Sequence, residues 1–405
     1  MTAGARTGVV LSGGGADGAY EVGVLKALLH GASPSTGYRP IDPEVYTGTS
    51  VGAYNAVIMA SRPGKPATAV AEELEAIWLD RIANSFRTCG NGVFRVRGAP
   101  FQGFDPGCLL HPVRSLVELG KDAAVLTAFG MVKGAQFATS DAPLKSRLLS
   151  LVDLDAFVSE SPLRQLVAET VDLDSLRRSG KRLTIATSDW EHGVLRLLSK
   201  QDITDVVGAD GILASTALPG IFRPVTIDGV PYVDGGVLLN TPLKPAIRDG
   251  ADTLHIVFLD PLVRNITLTV LPSSLDTFYR LFAIIWAANV RRDLLQAEMV
   301  NRLIELLDRE DLSAVASPEM KRLLRAGPGI FRHLIEGGQP YRKLTIHIYR
   351  PATDLGSGEG VLDFQRFRLA DLVAMGYRDA VHHDCEAAGC VRPGRTSAQR
   401  LREAV

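Results

Sequence analysis

Apolar positions follow two alternating spacings along the first part of the chain. A β-branched run at 7–12 predicts a short strand that ends in glycines, and from Gly18 the apolar residues recur at helical spacing. A second short strand is predicted at 45–47, followed by a sharp turn and then a helix at 53–60. This order of strand, loop, helix and strand is typical of a parallel βαβ unit.

The same alternation returns in the second half of the sequence. The pattern predicts the following elements: strands at 182–187, 194–199, 225–228, 232–233, 254–259 and 343–349, and helices at 203–215, from Leu275 onward and at 368–385. The sequence therefore predicts an α/β fold in which helices cover both faces of a central, mostly parallel sheet.

One domain accounts for nearly all of the chain, since no linker divides it into independent parts. A stretch broken by many glycines and prolines interrupts the alternating pattern, and we expect it to be irregular and partly helical. The predicted division is a single domain at 1–390, with its core at 7–84 and 151–260, an insertion at 85–150, a helical extension at 262–390, and a polar tail at 391–405.

Composition excludes several classes of function. The 405 residues are 46% hydrophobic and 22% charged with a formal net charge of −1, so no overall field attracts nucleic acid or an anionic bilayer. Four cysteines are too few for a disulfide scaffold, and the first residues lack the apolar core of a signal peptide. The longest apolar run, 281–290, is about half a bilayer span. We expect free thiols, a cytoplasmic location and no nucleic-acid partner; nothing indicates the oligomeric state.

A G-x-S-x-G pentapeptide lies between the second predicted strand and the helix that follows it. In this context Ser50 is a candidate nucleophile, because a strained turn between a strand and a helix makes the hydroxyl project. Gly48 and Gly52 fit the same interpretation, since a β-carbon at either position would meet the neighbouring strand or helix. The alternative is that Ser50 only caps the helix.

Three consecutive glycines, Gly13, Gly14 and Gly15, follow the first predicted strand. Their backbone N–H groups can point at one place without side-chain obstruction, as an oxyanion hole requires. The stretch also matches a dinucleotide-binding fingerprint through Gly18, but the acidic residue expected at the end of the next strand is missing. We therefore expect no cofactor. Parallel strands would bring these glycines and Ser50 to the same sheet edge.

A nucleophilic hydroxyl needs a base, and Asp234 is the next candidate. It lies on a glycine turn at the end of a short predicted strand, although Asp-Gly is also a common hairpin signal. None of the eight histidines has a comparable context.

The nearest approach to a metal cluster is formed by His382, His383, Cys385 and Cys390. Their spacing fits no standard zinc pattern, so we expect no metal site.

The order of these motifs resembles the patatin-like phospholipase family. The matching stretches are a glycine-rich loop (LSGGGADGAYEVGVLKAL), the elbow (GTSVG) and a downstream D-G-G (VDGGVLLNTPL), with further similarity at 214–224 and 240–252. The resemblance covers roughly residues 7–260, and the insertion matches poorly. It implies a three-layer α/β/α fold and a lipid acyl hydrolase that uses a Ser-Asp dyad without histidine.

The resemblance also implies individual roles: Ser50 as nucleophile, Asp234 as base, and the amides around Gly13, Gly14 and Gly15 as the oxyanion hole. The partner it implies is a lipid ester, a phospholipid or lysophospholipid. One position departs from the family: Asp17 stands where an Arg or Lys is usual. A negative side chain at this position disfavours phosphate-bearing substrates. The glycine amides do not depend on it.

A lipid ester also needs apolar surroundings. The insertion and the stripe of Phe278, Phe282 and Trp286 are candidates for channel walls or for a peripheral membrane contact, while core packing is the alternative for the stripe. Two other functions stay open: a Ser-His-Asp carboxylesterase, and a non-catalytic nucleotide- or lipid-binding protein.

Overall fold

An eight-stranded sheet forms the centre of the protein. The computed structural model describes residues 6–84, 91–96, 112–139, 158–266, 274–308 and 342–394. The strands are β1 (Thr7–Leu11), β2 (Val45–Thr49), β3 (Arg95–Val96), β4 (Val158–Ser159), β5 (Arg182–Asp189), β6 (Val194–Ser199), β7 (Val225–Ile227), β8 (Val230–Asp234), β9 (Thr253–Val257) and β10 (Thr345–Tyr349).

The central sheet has the order β10-β9-β1-β2-β5-β8-β7, and β6 also pairs with β5. The five strands from β10 to β5 run parallel to their neighbours, whereas β6, β7 and β8 are joined by antiparallel pairing. β3 and β4 form a separate two-stranded sheet. The carboxyl ends of β1 and β2 therefore lie side by side, which is where ligand sites of α/β sheets form.

Helices cover both faces of this sheet. They are α1 (Gly18–Leu29), α2 (Val51–Ala60), α3 (Ala67–Ile77), α4 (Pro112–Thr139), α5 (Ser161–Thr170), α6 (Leu173–Arg178), α7 (Lys200–Asp202), α8 (Ala209–Ser215), α9 (Leu243–Arg248), α10 (Ser274–Asp308), α11 (Ser357–Gly360) and α12 (Arg366–Val381). Two π-helical turns follow α3 and α7, at Trp78–Ile82 and Ile203–Val207.

The alternation of side chains along β1 divides the core into two layers. Val9 and Leu11 pack into a cluster with α1, α2, α3 and α12, whereas Val10 packs on the opposite face with α9 and α10. Successive strand residues point to opposite faces, so a strand covered on both sides must be apolar throughout. This arrangement is the three-layer α/β/α fold predicted from the sequence.

The C-terminal helix packs directly on the first helix. A β-carbon on Gly23 of α1 would lie 1.9 Å from the carbonyl oxygen of Val373 in α12, and one on Gly376 would lie 2.0 Å from the carbonyl oxygen of Tyr20. The two helices therefore approach so closely that only glycine fits at these positions. Tyr20 also donates a hydrogen bond to Asp379 across the contact, at 2.9 Å.

The described residues confirm the predicted strands and most of the principal helices, with small shifts at their ends, but the helix predicted at 203–215 is divided at Gly208 into a π-helical turn and α8. The predicted helix at 368–385 ends earlier, at Val381, and the chain then forms turns. Within the predicted irregular insertion the structure describes one long helix, α4, and the rest of 97–157 lies outside the described residues. The division into core, insertion, extension and tail stays a prediction. None of the helices in the described ranges combines the length and hydropathy of a bilayer span.

Candidate active site

Ser50 occupies a strained turn between β2 and α2. Its backbone has φ 56° and ψ −125°, a conformation that residues with a β-carbon rarely adopt. The two flanking glycines make the turn possible, because a β-carbon on Gly48 would lie 2.2 Å from the carbonyl oxygen of Gly52, and one on Gly52 would lie 2.6 Å from that of Leu11. The pentapeptide thus forms the sharp strand-to-helix turn that the sequence predicts.

The strand register brings Asp234 next to this turn. Thr49, just before the serine, is paired with Ala186 of β5, and Asp234 is paired with the next residue, Thr187. β6 pairs with residues 184–189 of β5 and so occupies one edge of that strand. The pairings of β2 and β8 with β5 both overlap this stretch, so these two strands must lie along the opposite edge of β5. Asp234 therefore lies close enough to Ser50 for the serine hydroxyl to lower the pKa of its carboxyl group.

Burial gives Asp234 an unusual pKa. Only 2% of the residue is exposed, and loss of solvent raises the pKa of the carboxyl from 3.8 to about 7. Two interactions oppose this rise: one with the Ser50 hydroxyl, and a hydrogen bond donated by the Gly236 N–H at 2.7 Å. A carboxylate with a pKa near neutrality is a stronger base than an ordinary aspartate, and it is half ionised at about neutral pH.

The glycine loop lies against the nucleophile, since a β-carbon on Gly13 would be 3.0 Å from the Ser50 β-carbon. The Gly13 N–H already donates a hydrogen bond to the Asn240 carbonyl at 3.2 Å, and the Asn240 side chain donates back to the Gly13 carbonyl at 3.2 Å. Within the described residues the N–H groups of Gly14 and Gly15 donate no hydrogen bond. These two amides, rather than all three, are therefore available to an oxyanion.

Backbone conformation also explains why the loop contains glycine at its third position. Gly15 has φ 57°, and a β-carbon there would lie 2.3 Å from the carbonyl oxygen of Val361. The next residue, Ala16, donates its N–H to that same carbonyl at 2.8 Å. The segment before α12 thus holds the loop in place.

Three contributors to the site were missed from the sequence. The Ser215 hydroxyl accepts a hydrogen bond from the Ser50 N–H at 3.0 Å and donates one to the Ala186 carbonyl at 2.7 Å, so it ties the nucleophile turn to β5. Asn240 ties the glycine loop to the chain after β8. Val51, the first residue of α2, has an N–H with no acceptor inside the helix. Ser215 and Asn240 lie in stretches that carried the family resemblance, but only the fold shows what they contact.

A family model described as patatin-like phospholipase matches residues 9–247, more than half of the chain. The chain belongs to the patatin-like phospholipase family.

Two individual proteins are similar to this patatin-like chain. The uncharacterized protein YjjU of Escherichia coli K12 is 34% identical over 112 residues, which span 27% of this chain and only 29% of YjjU. The crystal structure of VipD from Legionella pneumophila has 13% identity and a TM-score of 0.32, over 93% of this chain and 67% of VipD.

Asp17, the departure from the usual patatin-like loop, has a charged partner elsewhere in the chain. Arg368 of α12 donates a hydrogen bond to the Asp17 carboxylate at 2.5 Å and another to the Leu355 carbonyl at 2.6 Å. Burial raises the pKa of Asp17 to about 7, and the Arg368 guanidinium opposes that rise. The reversed charge is thus paired inside the protein, where it anchors the loop to the C-terminal helix.

The apolar stripe of α10 divides into two parts. Later apolar residues of the same helix, Val290, Leu294 and Ala297, are buried in the core. Its earlier part reaches the site: the Trp286 indole donates to the Gly236 carbonyl at 2.6 Å, and Phe282 stacks on Trp286 with ring centres 5.6 Å apart. The side chain of Phe278 lies outside the described residues.

Next to this contact α10 presents an apolar face to solvent. Leu281, Ile284 and Ile285 are 52%, 48% and 40% exposed. This exposed apolar face belongs to the helix whose Trp286 contacts Gly236, and an exposed apolar patch of this kind marks a surface for an apolar partner.

Histidine takes no part in the described site. In the described ranges no histidine forms a hydrogen bond with Ser50 or Asp234; His255 bonds to Tyr349, and His192 bonds to Asp189. His111 and His333 lie outside the described residues.

Proposed function

We propose that this protein hydrolyses lipid carboxylic esters through Ser50 as nucleophile and Asp234 as base. The observation that carries the proposal is the position of the strained Ser50 turn beside Asp234, a buried carboxyl group whose pKa is raised to about 7. A dyad of this kind needs no histidine, since the aspartate itself is tuned to accept a proton near neutral pH.

In the first half of the reaction, the Ser50 oxygen attacks the ester carbonyl while its proton moves to Asp234. The carbonyl oxygen becomes an anion, and the amides of Gly14, Gly15 and Val51 are the donors we assign to it. Each such donor contributes on the order of 3 kcal/mol in related sites. Asp234 then protonates the departing alcohol, which leaves an acyl group on Ser50.

In the second half, water attacks the acyl-serine. Asp234, ionised again, takes a proton from this water as the new carbon–oxygen bond forms. When the acyl–serine bond breaks, the Ser50 oxygen recovers that proton from Asp234, and the fatty acid is released. The same base therefore serves both halves, and the enzyme returns to its starting state.

The exposed apolar face of α10 supports a substrate with long acyl chains. Leu281, Ile284 and Ile285 offer a surface for such chains or for the boundary of a membrane, in line with the peripheral contact expected from the sequence. Phospholipids and lysophospholipids are the substrates we propose. The cytoplasmic location stays a prediction.

Hydrolysis of p-nitrophenyl acyl esters tests the dyad. We expect Ser50→Ala and Asp234→Asn to abolish turnover while the far-UV circular dichroism is unchanged. A matched control is Asp249→Asn, because Asp249 is another acid whose pKa is raised by burial, but it contacts Thr184 at the opposite end of β5. The control variant should keep the wild-type rate.

Replacing the eight histidines one at a time separates the dyad from the Ser-His-Asp alternative. A single histidine whose loss abolishes turnover in a folded protein would overturn the dyad. A fluorophosphonate probe addresses the non-catalytic alternatives, because a binding protein would show no labelling that depends on Ser50.

A further inference from the structure

Four side chains with metal-ligating atoms meet at the edge of the sheet far from Ser50. They are His347 of β10 and, from the turns that follow α12, His383, Cys385 and Cys390. One ligand atom from each lies within 4.8 Å of all the others. The two cysteines form no disulfide bond.

Three of the six distances between these atoms match a tetrahedral zinc site, and none of the six exceeds 4.8 Å. His347 Nδ1 lies 3.3 Å from Cys385 Sγ, and His383 Nε2 lies 3.4 Å from the sulfur atoms of both Cys385 and Cys390. Around a zinc ion with bonds of about 2.3 Å to sulfur and 2.0 Å to nitrogen, neighbouring ligand atoms are about 3.5 Å apart. We propose that His347, His383, Cys385 and Cys390 bind one zinc ion.

The chemistry of the donors favours zinc and a structural role. Two thiolates and two imidazoles suit a borderline-soft ion in tetrahedral geometry, whereas magnesium and calcium take oxygen ligands. Four protein ligands leave no open position for water or substrate, as in other structural zinc sites. Cys390 is buried and accepts a hydrogen bond from the Ile348 N–H at 3.3 Å, a contact that stabilises a thiolate ligand.

The zinc ion would hold the segment after α12 against strand β10. After α12 the chain forms turns, and in the described residues its backbone pairs with β10 through one isolated bridge, in which Ile346 and Val391 exchange hydrogen bonds of 2.8 and 3.0 Å. A metal bound between His347 and the three later ligands would hold this weakly paired segment in place. Because β9 and β1 separate β10 from the serine strand, the ion would support stability rather than hydrolysis.

This proposal departs from the sequence prediction of no metal site. That prediction weighed only His382, His383, Cys385 and Cys390, whose spacing is unusual. The fourth ligand, His347, comes from a strand earlier in the chain, and His382 instead directs its Nδ1 to the Arg378 carbonyl at 2.9 Å.

Elemental analysis of the full chain, purified under reducing conditions without chelator, tests the site. We expect about one zinc per chain in the wild type and near zero in His347→Ala and Cys385→Ser. His382→Ala is the matched control, since it removes the neighbouring imidazole, and it should keep the metal. Stripping wild-type zinc with a chelator should lower Tm, and added zinc should restore it.

Cobalt substitution keeps the test decisive if a ligand variant fails to fold. Cobalt(II) added to the stripped wild-type chain should give thiolate-to-metal absorption, and the same band should appear in a Cys89→Ser/Cys108→Ser protein, which retains only the two proposed thiolates. The proposal is overturned if the reduced protein takes up neither ion, if Cys385 and Cys390 are found disulfide-bonded in protein purified without oxygen, or if His347→Ala and Cys385→Ser retain full zinc.

Discussion

Asp234 links the stability of the fold to its proposed chemistry. Burial raises the pKa of this carboxyl from 3.8 to about 7, while in the unfolded chain it keeps an ordinary pKa. The folded protein therefore favours the protonated acid. Above both pKa values the ionised side chain costs the fold about 4 kcal/mol relative to the protonated one.

Replacement of Asp234 by Asn should remove this pH-dependent cost. An amide does not ionise, and its oxygen can still accept the Gly236 N–H bond found at 2.7 Å. Below about pH 4 both side chains are neutral; between about pH 4 and 7 the wild type progressively loses stability, and above about 7 the loss is constant. The variant's stability relative to wild type should therefore grow by about 2 to 3 kcal/mol between about pH 5 and pH 8.

Urea unfolding followed by circular dichroism measures this difference at both pH values. Other buried acids with raised pKa values, such as Asp17 and Asp260, occur in both proteins, so their contributions cancel in the comparison. In the wild type, kcat/KM should rise with pH through about 7 as the base ionises, and Asp234→Asn should abolish turnover. A stability difference that is the same at both pH values would refute the raised pKa of Asp234, and with it the proposal that Asp234 is a base with a pKa near neutrality.

Three further predictions concern the surroundings of the dyad. Ser215→Ala should lower kcat roughly tenfold to a hundredfold in ester assays with little change in KM, because the nucleophile turn loses its tie to β5; an unchanged kcat would contradict this role. Arg368→Met should destabilise the fold by about 3 kcal/mol in urea unfolding at about pH 8, and a second change, Asp17→Asn, should recover most of that loss; failure of the recovery would disprove the pairing. Leu281→Ser with Ile285→Ser should slow hydrolysis of phospholipid vesicles but not of a short soluble ester, and equal rates on vesicles would exclude the membrane role.

Local patterns predicted the elements that carry the proposed dyad. The apolar runs of β1 and β2 and the helical spacing of α1 are continuous in sequence, so their types followed from periodicity. The glycines around Ser50 marked the turn through the G-x-S-x-G pattern, although the contact that requires Gly52 is with Leu11 of the neighbouring strand β1. The glycine turn after a short strand marked Asp234 as a candidate base, and the family motifs implied that role for it.

Contacts between distant segments could not be predicted in this way. Arg368 meets Asp17 across 351 positions of the chain, and nothing near either residue indicates the other. From the sequence the Gly13 N–H was expected to be available to an oxyanion, but it donates a hydrogen bond to the Asn240 carbonyl, which only the fold brings next to it. His347 joins His383 only because β10 runs along the sheet edge where the last turns return. Each case depends on tertiary packing rather than on local propensity.

The most direct measurement of the central claim is peptide mapping of the protein quenched during turnover of a slowly hydrolysed acyl ester. The account predicts an acyl group on the peptide that contains Ser50, and its absence in Ser50→Ala. Acyl transfer to another residue, or turnover that continues in Ser50→Ala, would contradict it.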